Sequence, residues 1–325
     1  MTKIPFTSAE PTRRSFFKNT GALLLAASLG AEPASLAAAP PAPGRKRRLR
    51  VAHLTDIHVS DIAGAAAGMT AAIRHAQALA DRPDLLLFGG DCIGDALDTP
   101  KEKVLAQWKL WESIFSAEVK LPHAVCLGNH DILGWSRRGD LALASDPDYG
   151  KSLAMRRLGL QQRYFSFDRA EWHFVVLDSM VPGPTNGYLA RLDEEQFVWL
   201  GQDLATTPAT TPVCVLSHIP ILSAAAFLDG DLAKTGNWEV PGAWMHLDVR
   251  RIKDLFRQHP NVRLCLSGHL HMVDDVSYLG VRYLCNGAVS GGWWKGNYQE
   301  FGPTYALLDL YDDGSAENRL VAYAT

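Results

Sequence analysis

Short apolar runs recur along the chain and predict buried strands. Five of them are near-continuous over four to six residues: 50–55, 84–88, 124–127, 213–216 and 262–266. Runs of this length without polar alternation are typical of strands covered on both faces, as in parallel sheets flanked by helices. We therefore expect these five runs to lie in the interior of one or two sheets.

Helical and alternating patterns fill the intervals between these runs. Apolar residues recur at helical spacing in four segments: 65–80, 101–115, 192–200 and 247–258. Alternation predicts two hairpins and a closing pair of strands: 164–167 with 172–177, 275–279 with 281–284, and 304–311 with 319–323. Strand–helix–strand units combined with hairpins predict an α/β fold in which two mixed sheets pack together with helices outside.

Residues 219–246 fit no regular element. The stretch contains Pro, Gly and Trp and ends at His246. A connection of this length is uncommon in a compact domain and often forms a lid or a binding loop. A surface loop without function is the alternative. His246 is a candidate substrate contact because it ends this loop.

The N-terminus reads as a targeting signal. Residues 12–18, Thr-Arg-Arg-Ser-Phe-Phe-Lys, resemble the twin-arginine export signal, and the apolar stretch 21–29 that follows is shorter than the roughly 20 residues that span a bilayer. We predict a signal peptide over 1–39, a linker over 40–49 and a folded domain over 50–325. This implies recognition by the twin-arginine export machinery, a periplasmic or extracellular location and no membrane span in the mature form. The alternative is a disordered Ala/Pro-rich tail.

Charge and cysteine content narrow the choice of partners. The first 50 residues hold nine of the 32 Lys and Arg but only two of the 35 Asp and Glu, which leaves 23 basic and 33 acidic residues in 51–325. Such an acidic body repels a long polyanion, so duplex nucleic acid is not expected as a partner.

The five cysteines form no Cys-x-x-Cys motif and mostly lie in or next to apolar runs, so we interpret them as small buried hydrophobic residues.

Polar motifs follow the ends of the five predicted strands. They are Asp56-Ile57-His58, Gly89-Gly90-Asp91, Gly128-Asn129-His130-Asp131, Ser217-His218, and Gly268-His269-Leu270-His271. Because the carboxyl ends of strands in an α/β sheet share one edge, these side chains can meet in space. Carboxylate, imidazole and amide groups together suit divalent or trivalent Fe, Mn or Zn.

The order of these motifs resembles the calcineurin-like metallophosphoesterase family over about residues 50–290. The resemblance implies an α/β/β/α sandwich of the metallophosphoesterase type and two metal ions. Asp56, His58 and His271 would hold the first metal. Asn129, His218 and His269 would hold the second, and Asp91 would bridge the two.

The resemblance also implies a mechanism. His130 would act on the substrate as proton donor or charge stabiliser, and Asp131 would orient its imidazole. A hydroxide bridging the metals would attack a small organic phosphoester, either a phosphodiester such as a cyclic nucleotide or a phosphomonoester. Gly94 occupies the position of the metal-binding Tyr of purple acid phosphatases, which disfavours that subclass. A non-catalytic scaffold and a nuclease of the same fold are the alternatives.

Two consecutive tryptophans, Trp293 and Trp294, follow a Gly-rich stretch after the last motif. Adjacent indole rings on such a loop are unfavourable in water, so they are either buried or in contact with a ligand. Both interpretations stay open, and the second makes the pair a candidate aromatic wall beside the metals.

Overall fold

The computed structural model of the protein describes residues 44–137 and 139–323. The predicted signal peptide, with its twin-arginine motif, and residues 40–43 of the predicted linker lie outside this range. Among the helices in the described ranges, none combines the length and apolar composition needed to cross a membrane.

The strands of the described residues, numbered along the chain, belong to two large sheets and a small ribbon. Their bounds are β1 Arg47–Leu54, β2 Leu85–Phe88, β3 His123–Val125, β4 Phe165–Arg169, β5 Trp172–Val176, β6 Met180–Pro182, β7 Tyr188–Ala190, β8 Val213–Leu216, β9 Val262–Ser267, β10 Val273–Tyr278, β11 Val281–Asn286, β12 Thr304–Tyr311 and β13 Ala316–Ala322. The first sheet has the order β13-β12-β1-β2-β3 and the second the order β10-β11-β9-β8-β5-β4. Parallel strands lie at the centre of the second sheet, and antiparallel strands flank them.

The helices of the described residues cover the outer faces of both sheets. Their bounds are α1 Ala65–Ala78, α2 Lys101–Glu118, α3 Leu141–Ala144, α4 Ser152–Leu158, α5 Glu194–Thr206 and α6 Val249–Phe256. Helix α5 begins after Asp193, whose carboxylate caps it by accepting a hydrogen bond from the backbone N–H of Gln196 at 2.9 Å.

Three buried apolar clusters separate four layers. Between the sheets, Leu87 of the first sheet packs in one cluster with Phe174 and Leu264 of the second. On the outside of the first sheet, α1 and α2 contribute to a second cluster, while α5 and α6 pack against the second sheet in a third. The order is therefore helix, sheet, sheet, helix, which confirms the predicted α/β/β/α fold class.

The basic run that the sequence assigns to the linker belongs to the folded body. Strand β1 begins at Arg47 rather than at residue 50, and Arg47 pairs with Tyr311 in the sheet. Arg50 donates to the Asp309 carboxylate at 2.6–2.7 Å, and Arg45 is ion-paired with Glu317. These arginines tie the first strand to the last two strands of the described chain, so their charges are neutralised locally.

The ribbon formed by β6 and β7 was not predicted from the sequence. It follows β5 and has only three residues in each strand, too few for an alternating pattern to stand out. It brings Tyr188 next to the edge at which the predicted ligands lie.

Candidate metal centre

The predicted ligands lie together at the carboxyl edge of both sheets. Each follows the end of β1, β2, β3, β8 or β9: Asp56, His58, Asp91, Asn129, His218, His269 and His271. Backbone hydrogen bonds tie the segments to one another; for example, the N–H of His58 donates to the carbonyl of Asp91 at 2.9 Å. The Asp56 carboxylate accepts the backbone N–H of His269 at 3.0 Å, which connects the ends of β1 and β9.

Two triples of ligand atoms form within this cluster. Asp56, His58 and His271 make one triple, and Asp91, His218 and His269 make the other, each with its ligand atoms within 4.8 Å of one another. The first triple is the set expected from the resemblance for the first metal. The second triple contains His218 and His269, as expected for the second metal, and Asp91, the expected bridge. Asn129 joins the second set, because its Oδ1 lies 3.0 Å from the Nε2 of His218.

Asp91 lies between the two triples. Its Oδ2 is 3.6 Å from the Nε2 of His58 and 3.2 Å from the Nε2 of His218. Glycines make this close approach possible, because a Cβ at Gly128 would lie 2.2 Å from Asp91 Oδ1. A carboxylate in this position can contact ions held on either side.

Unpaired nitrogen atoms indicate that the cluster is built for metal ions. The Nδ1 atoms of His58 and His269 are buried without a hydrogen-bond partner among the described residues. Two imidazole nitrogens, the Nε2 atoms of His58 and His271, face each other at 3.0 Å. Buried polar atoms left without partners are unfavourable in a folded protein, and a cation with nitrogen and oxygen ligands would satisfy those nitrogen atoms that face the cluster.

The charges of the cluster agree with this interpretation. Burial works against ionisation of Asp91, but His218 and His130 outweigh it and hold the pKa of Asp91 well below its usual range. Burial lowers the pKa of His58 and of His269 to about 3, so both imidazoles are neutral. Ionised carboxylates and neutral imidazoles are the forms that bind metals.

His218 differs from the other imidazoles in its charge. Burial disfavours its protonation, but the carboxylates of Asp91 and Asp56 outweigh burial and raise the pKa of His218 to about 9. Without metal ions, a proton on His218 therefore supplies positive charge beside two buried carboxylates. Metal ions would supply that charge instead, so the residues present fit a pair of cations.

Five of the seven predicted ligands have a left-handed backbone. The φ angles are 55° at Asp56, 48° at His58, 50° at Asp91, 69° at His269 and 56° at His271. A non-glycine residue in this region costs on the order of 1–3 kcal/mol and persists only where its surroundings fix it. Such strain is typical of functional sites, where it holds side chains in a required direction.

His130 lies beside the cluster with one nitrogen already engaged. Its ring is 5.0 Å from the His58 ring, and its Nδ1 is 3.0 Å from the Oδ1 of Asp95. Burial lowers the pKa of His130, but the Asp91 and Asp95 carboxylates outweigh this effect and raise it. The Nε2 atom is left to face the cluster, where His130 forms a third triple with His58 and Asp91.

Asp131 does not orient His130, contrary to the expectation from the sequence. Its carboxylate accepts backbone N–H groups from Cys92 at 2.8 Å and from Gly128 at 2.9 Å. Those bonds join the segments after β2 and β3 and point the carboxylate away from the imidazole. Asp95 takes the expected role. The spacing Gly-Asp-x-x-x-Asp from Gly90 to Asp95 was the available signal in the sequence.

The three residues proposed as substrate contacts have different surroundings. His246 is buried at the base of the 219–246 loop, with Nδ1 2.9 Å from Asp248 Oδ1 and Nε2 3.3 Å from Ser217 Oγ. Both of its nitrogens are thus engaged, and it acts as a structural residue. Both tryptophans are half-buried, but the Trp294 ring packs against the core and the Trp293 ring stacks on His271 at 4.2 Å.

Tyr188 was not predicted from the sequence and contacts His269 of the second triple, whereas Trp293 contacts His271 of the first. Its ring is 6.2 Å from the His269 ring, at an interplanar angle of 77°. Burial raises the pKa of Tyr188, and the charges of Asp91 and Asp56 raise it further, so the phenol stays protonated. Among the described residues its hydroxyl has no hydrogen-bond partner.

The five cysteines are buried with free thiols, as their positions in apolar runs predict. Burial raises the pKa of the thiols of Cys92 and Cys285, which lie near the centre. No cysteine belongs to the ligand triples found among the described residues, so these triples consist of oxygen and nitrogen atoms.

Comparison with known proteins finds relatives that span most of this chain. The chain is 27% identical over 282 residues to a 3′,5′-cyclic-nucleotide phosphodiesterase of Nostoc sp., covering 83% of this chain and 91% of the relative. It is 26% identical over 233 residues to a probable cyclic nucleotide phosphodiesterase of Synechococcus sp., covering 70% and 75%.

Solved structures share the fold at low sequence identity. A dimetal phosphatase from Danio rerio is 16% identical, with a TM-score of 0.58 over 86% of this chain and 100% of that one. GAP50 of Plasmodium, described as an anchor in the inner membrane complex, is also 16% identical, with a TM-score of 0.50 over 85% of each chain. Residues 49–273 match the calcineurin-like phosphoesterase family, and the chain belongs to that family.

Proposed function

We propose that this protein is a two-metal phosphodiesterase that hydrolyses small phosphodiesters of the cyclic-nucleotide class. The observation that carries the proposal is the position of Asp91 between two ligand triples, with His130 beside them. Two relatives that span most of this chain bear the name of cyclic nucleotide phosphodiesterases, which selects the first substrate to test.

The ligand sets divide between two ions. Asp56, His58 and His271 would hold one, and Asn129, His218 and His269 the other, with Asp91 shared between them. Fe, Mn and Zn suit these ligands. When bound, a pair of such ions supplies Lewis acidity to the phosphate oxygens and activates water for attack.

The chain's own residues supply orientation and proton transfer. Asp95 holds the Nδ1 side of His130 and leaves Nε2 facing the centre, where it can donate a proton to the leaving oxygen of the ester. Tyr188 presents an unpaired hydroxyl on the His269 side, where it can donate a hydrogen bond to a phosphate oxygen. The phosphate would lie between these two donors.

Two alternatives predict different results. A non-catalytic scaffold is the second candidate, and the fold of GAP50 gives it a specific basis. Against it, this chain keeps the whole ligand set together with His130 and Asp95. A nuclease is disfavoured because residues 51–325 hold 33 acidic and only 23 basic side chains.

The test is a hydrolysis assay of the purified protein with added Mn²⁺, Fe²⁺ or Zn²⁺. The substrates are 3′,5′-cyclic AMP, bis-p-nitrophenyl phosphate, p-nitrophenyl phosphate and single-stranded DNA. We expect turnover of the two small diesters, and its loss in Asp91→Asn. Absence of turnover with every metal favours the scaffold. Faster cleavage of DNA than of either small diester favours the nuclease.

A further inference from the structure

The two consecutive tryptophans after β11 have opposite environments. Trp294 is an anchor: its indole N–H donates to the backbone carbonyls of Ile57 at 2.8 Å and His58 at 3.2 Å. Its ring lies against α1, where a Cβ on Gly68 would fall 1.9 Å from the indole. This residue therefore fastens the loop to the backbone of the first ligand segment.

Trp293 turns the other way, towards the metal centre. Its ring stacks on the His271 imidazole, with centroids 4.2 Å apart and an interplanar angle of 26°, and lies 5.7 Å from the His58 ring. The residue is only half-buried, and its indole N–H has no hydrogen-bond partner among the described residues. An aromatic surface and an unused donor thus border the ligands of one metal.

The backbone is strained to hold this arrangement. Trp293 has a φ of 53° and Trp294 a φ of 64°, in a region that bulky residues rarely adopt. Hydrogen bonds within the loop fix the turn. The backbone N–H of Trp294, for example, donates to the Ser290 carbonyl at 2.9 Å. Such strain is typical of functional sites, where the surroundings hold a side chain in a required direction.

A second aromatic residue connects Trp293 to the 219–246 loop. Tyr298 meets the Trp293 ring edge to face, with centroids 5.5 Å apart at 85°. Its hydroxyl donates to Asp229 Oδ1 at 2.6 Å, and Asp229 belongs to that loop. The ring of Trp293 is therefore held from two sides, by His271 and by Tyr298.

We propose that Trp293 determines specificity by contacting a flat aromatic group, a nucleobase, of the ester whose phosphate occupies the metal centre. This inference rests on the proposed function in one respect, namely that the phosphate of the ester binds at the metal centre. Indole surfaces stack on any base, and the free N–H can donate to an acceptor on the base edge. A sugar or glycerol phosphate has oxygen atoms that can accept the N–H but no aromatic face that can stack on the indole. The side chain would thus favour nucleoside phosphates over sugar or glycerol phosphates.

A binding experiment on the full-length, metal-loaded protein tests this without turnover. The probes are non-cleavable phosphonate analogues of adenosine 5′-monophosphate and ribose 5-phosphate, which differ only in the base. We expect Trp293→Ala to weaken the adenosine analogue about 5- to 150-fold and to change the ribose analogue less than about twofold. Trp293→Phe keeps an aromatic ring and should recover most of the difference.

Trp238→Ala is the matched control. Trp238 is 61% exposed on the 219–246 loop, and its ring contact is with Phe227. It should change the binding of neither probe. Metal content is measured for every variant, because Trp293 also touches a ligand.

Equal weakening of both probes by Trp293→Ala, or loss of metal from that variant, would overturn the proposal and make Trp293 a support for His271. Unchanged binding of both probes would overturn it as well. Base-dependent binding in a protein that cleaves no diester would retain this inference and remove the proposed function. Cleavage of diesters by a protein that binds both probes without preference for the base would retain the proposed function and remove this inference.

Discussion

The imidazole of His130 is paired with Asp95, whose Oδ1 lies 3.0 Å from Nδ1. Asp131, next to His130 in the chain, instead accepts three backbone N–H groups at 2.8, 2.9 and 3.3 Å. We therefore expect Asp95→Asn to lower kcat by roughly 10- to 100-fold with both metals retained. Asp131→Asn should lower the free energy of unfolding, by about 1–3 kcal/mol for each N–H left unsatisfied.

Steady-state kinetics, elemental analysis and urea unfolding of the two variants separate these roles. The kinetic loss in Asp95→Asn should be larger for alkyl esters than for p-nitrophenyl esters, a pattern that a structural role would not produce. If Asp131→Asn shows that pattern and Asp95→Asn does not, our assignment is reversed.

A shared ligand makes Asp91 the most sensitive position for metal binding. The wild-type chain should hold two metal ions after reconstitution with Mn²⁺ or Zn²⁺, measured by elemental analysis. Asp91→Asn weakens both proposed metal sites, whereas His58→Ala removes a ligand from only one of them. We expect metal content to fall furthest in Asp91→Asn. Near-normal metal content and activity in that variant, with their loss in His58→Ala, would exclude Asp91 as the bridge.

Removing the imidazole of His130 should separate catalysis from metal binding. His130→Ala should retain both metals and lower kcat by about 10²- to 10⁴-fold. The loss should be smaller for p-nitrophenyl esters, because a good leaving group needs little protonation. Equal losses on good and poor leaving groups would mean that His130 binds the phosphate rather than donating a proton. Loss of metal would make it a ligand.

The stability of the protein should depend on pH through His173, far from the centre on β5. Burial works against its protonation, but hydrogen bonds to Asp203 at 2.9 Å and Asp168 at 2.7 Å outweigh burial and raise its pKa. A raised folded-state pKa stabilises the fold below the ordinary value of about 6.5, and the contribution is lost as the pH rises through the folded-state pKa.

The measurement is the free energy of unfolding of wild type and His173→Gln in urea at several pH values between 5.5 and 9. The difference between the two proteins should be largest at the acidic end and shrink towards pH 9. Asp203→Asn, which removes one partner, should reduce the same pH dependence. A difference that grows with pH would show that the pKa of His173 is lowered by folding rather than raised.

Export is predicted from residues outside the described range. Arg13→Lys combined with Arg14→Lys should leave the protein folded and active but retained in the cytoplasm, because the paired arginines are the feature that the export machinery reads. Cell fractionation with activity measurements checks this. The control is Lys3→Arg, which makes the reverse exchange at a position outside the motif. This variant should be exported normally. Undiminished export of the double variant would exclude the twin-arginine pathway.

The sequence predicts the centre well because strand ends are easy to recognise. Asp56, Asp91 and His269 each follow an apolar run, and the rule that strand ends share an edge is sufficient to bring them together. The four longest helices and the hairpins were predicted for the same reason, since their hydrophobic periodicity is strong. Their end points changed, as did that of β1, which starts at Arg47, and the short helices α3 and α4 were not predicted.

Side-chain partners were harder to predict than positions. Asp131 is adjacent to His130 in sequence, but the short 3₁₀ turn over Asn129–Asp131 directs their side chains apart. Tyr188 lies on a ribbon of three-residue strands, and a pattern so short carries no clear signal. Trp293 and Trp294 are the same residue type, and only the direction of the loop distinguishes the anchor, Trp294, from the ring that stacks on His271.

The left-handed backbone at five ligands limits which residues those positions can accept. After glycine, Asn, Asp and His enter this region more readily than other residues do. Metal binding and backbone geometry therefore select nearly the same side chains at Asp56, His58 and Asp91, and few substitutions satisfy both demands. In a descendant that no longer needed metals, glycine would be the favoured replacement, so loss of the centre would leave a recognisable trace in the sequence.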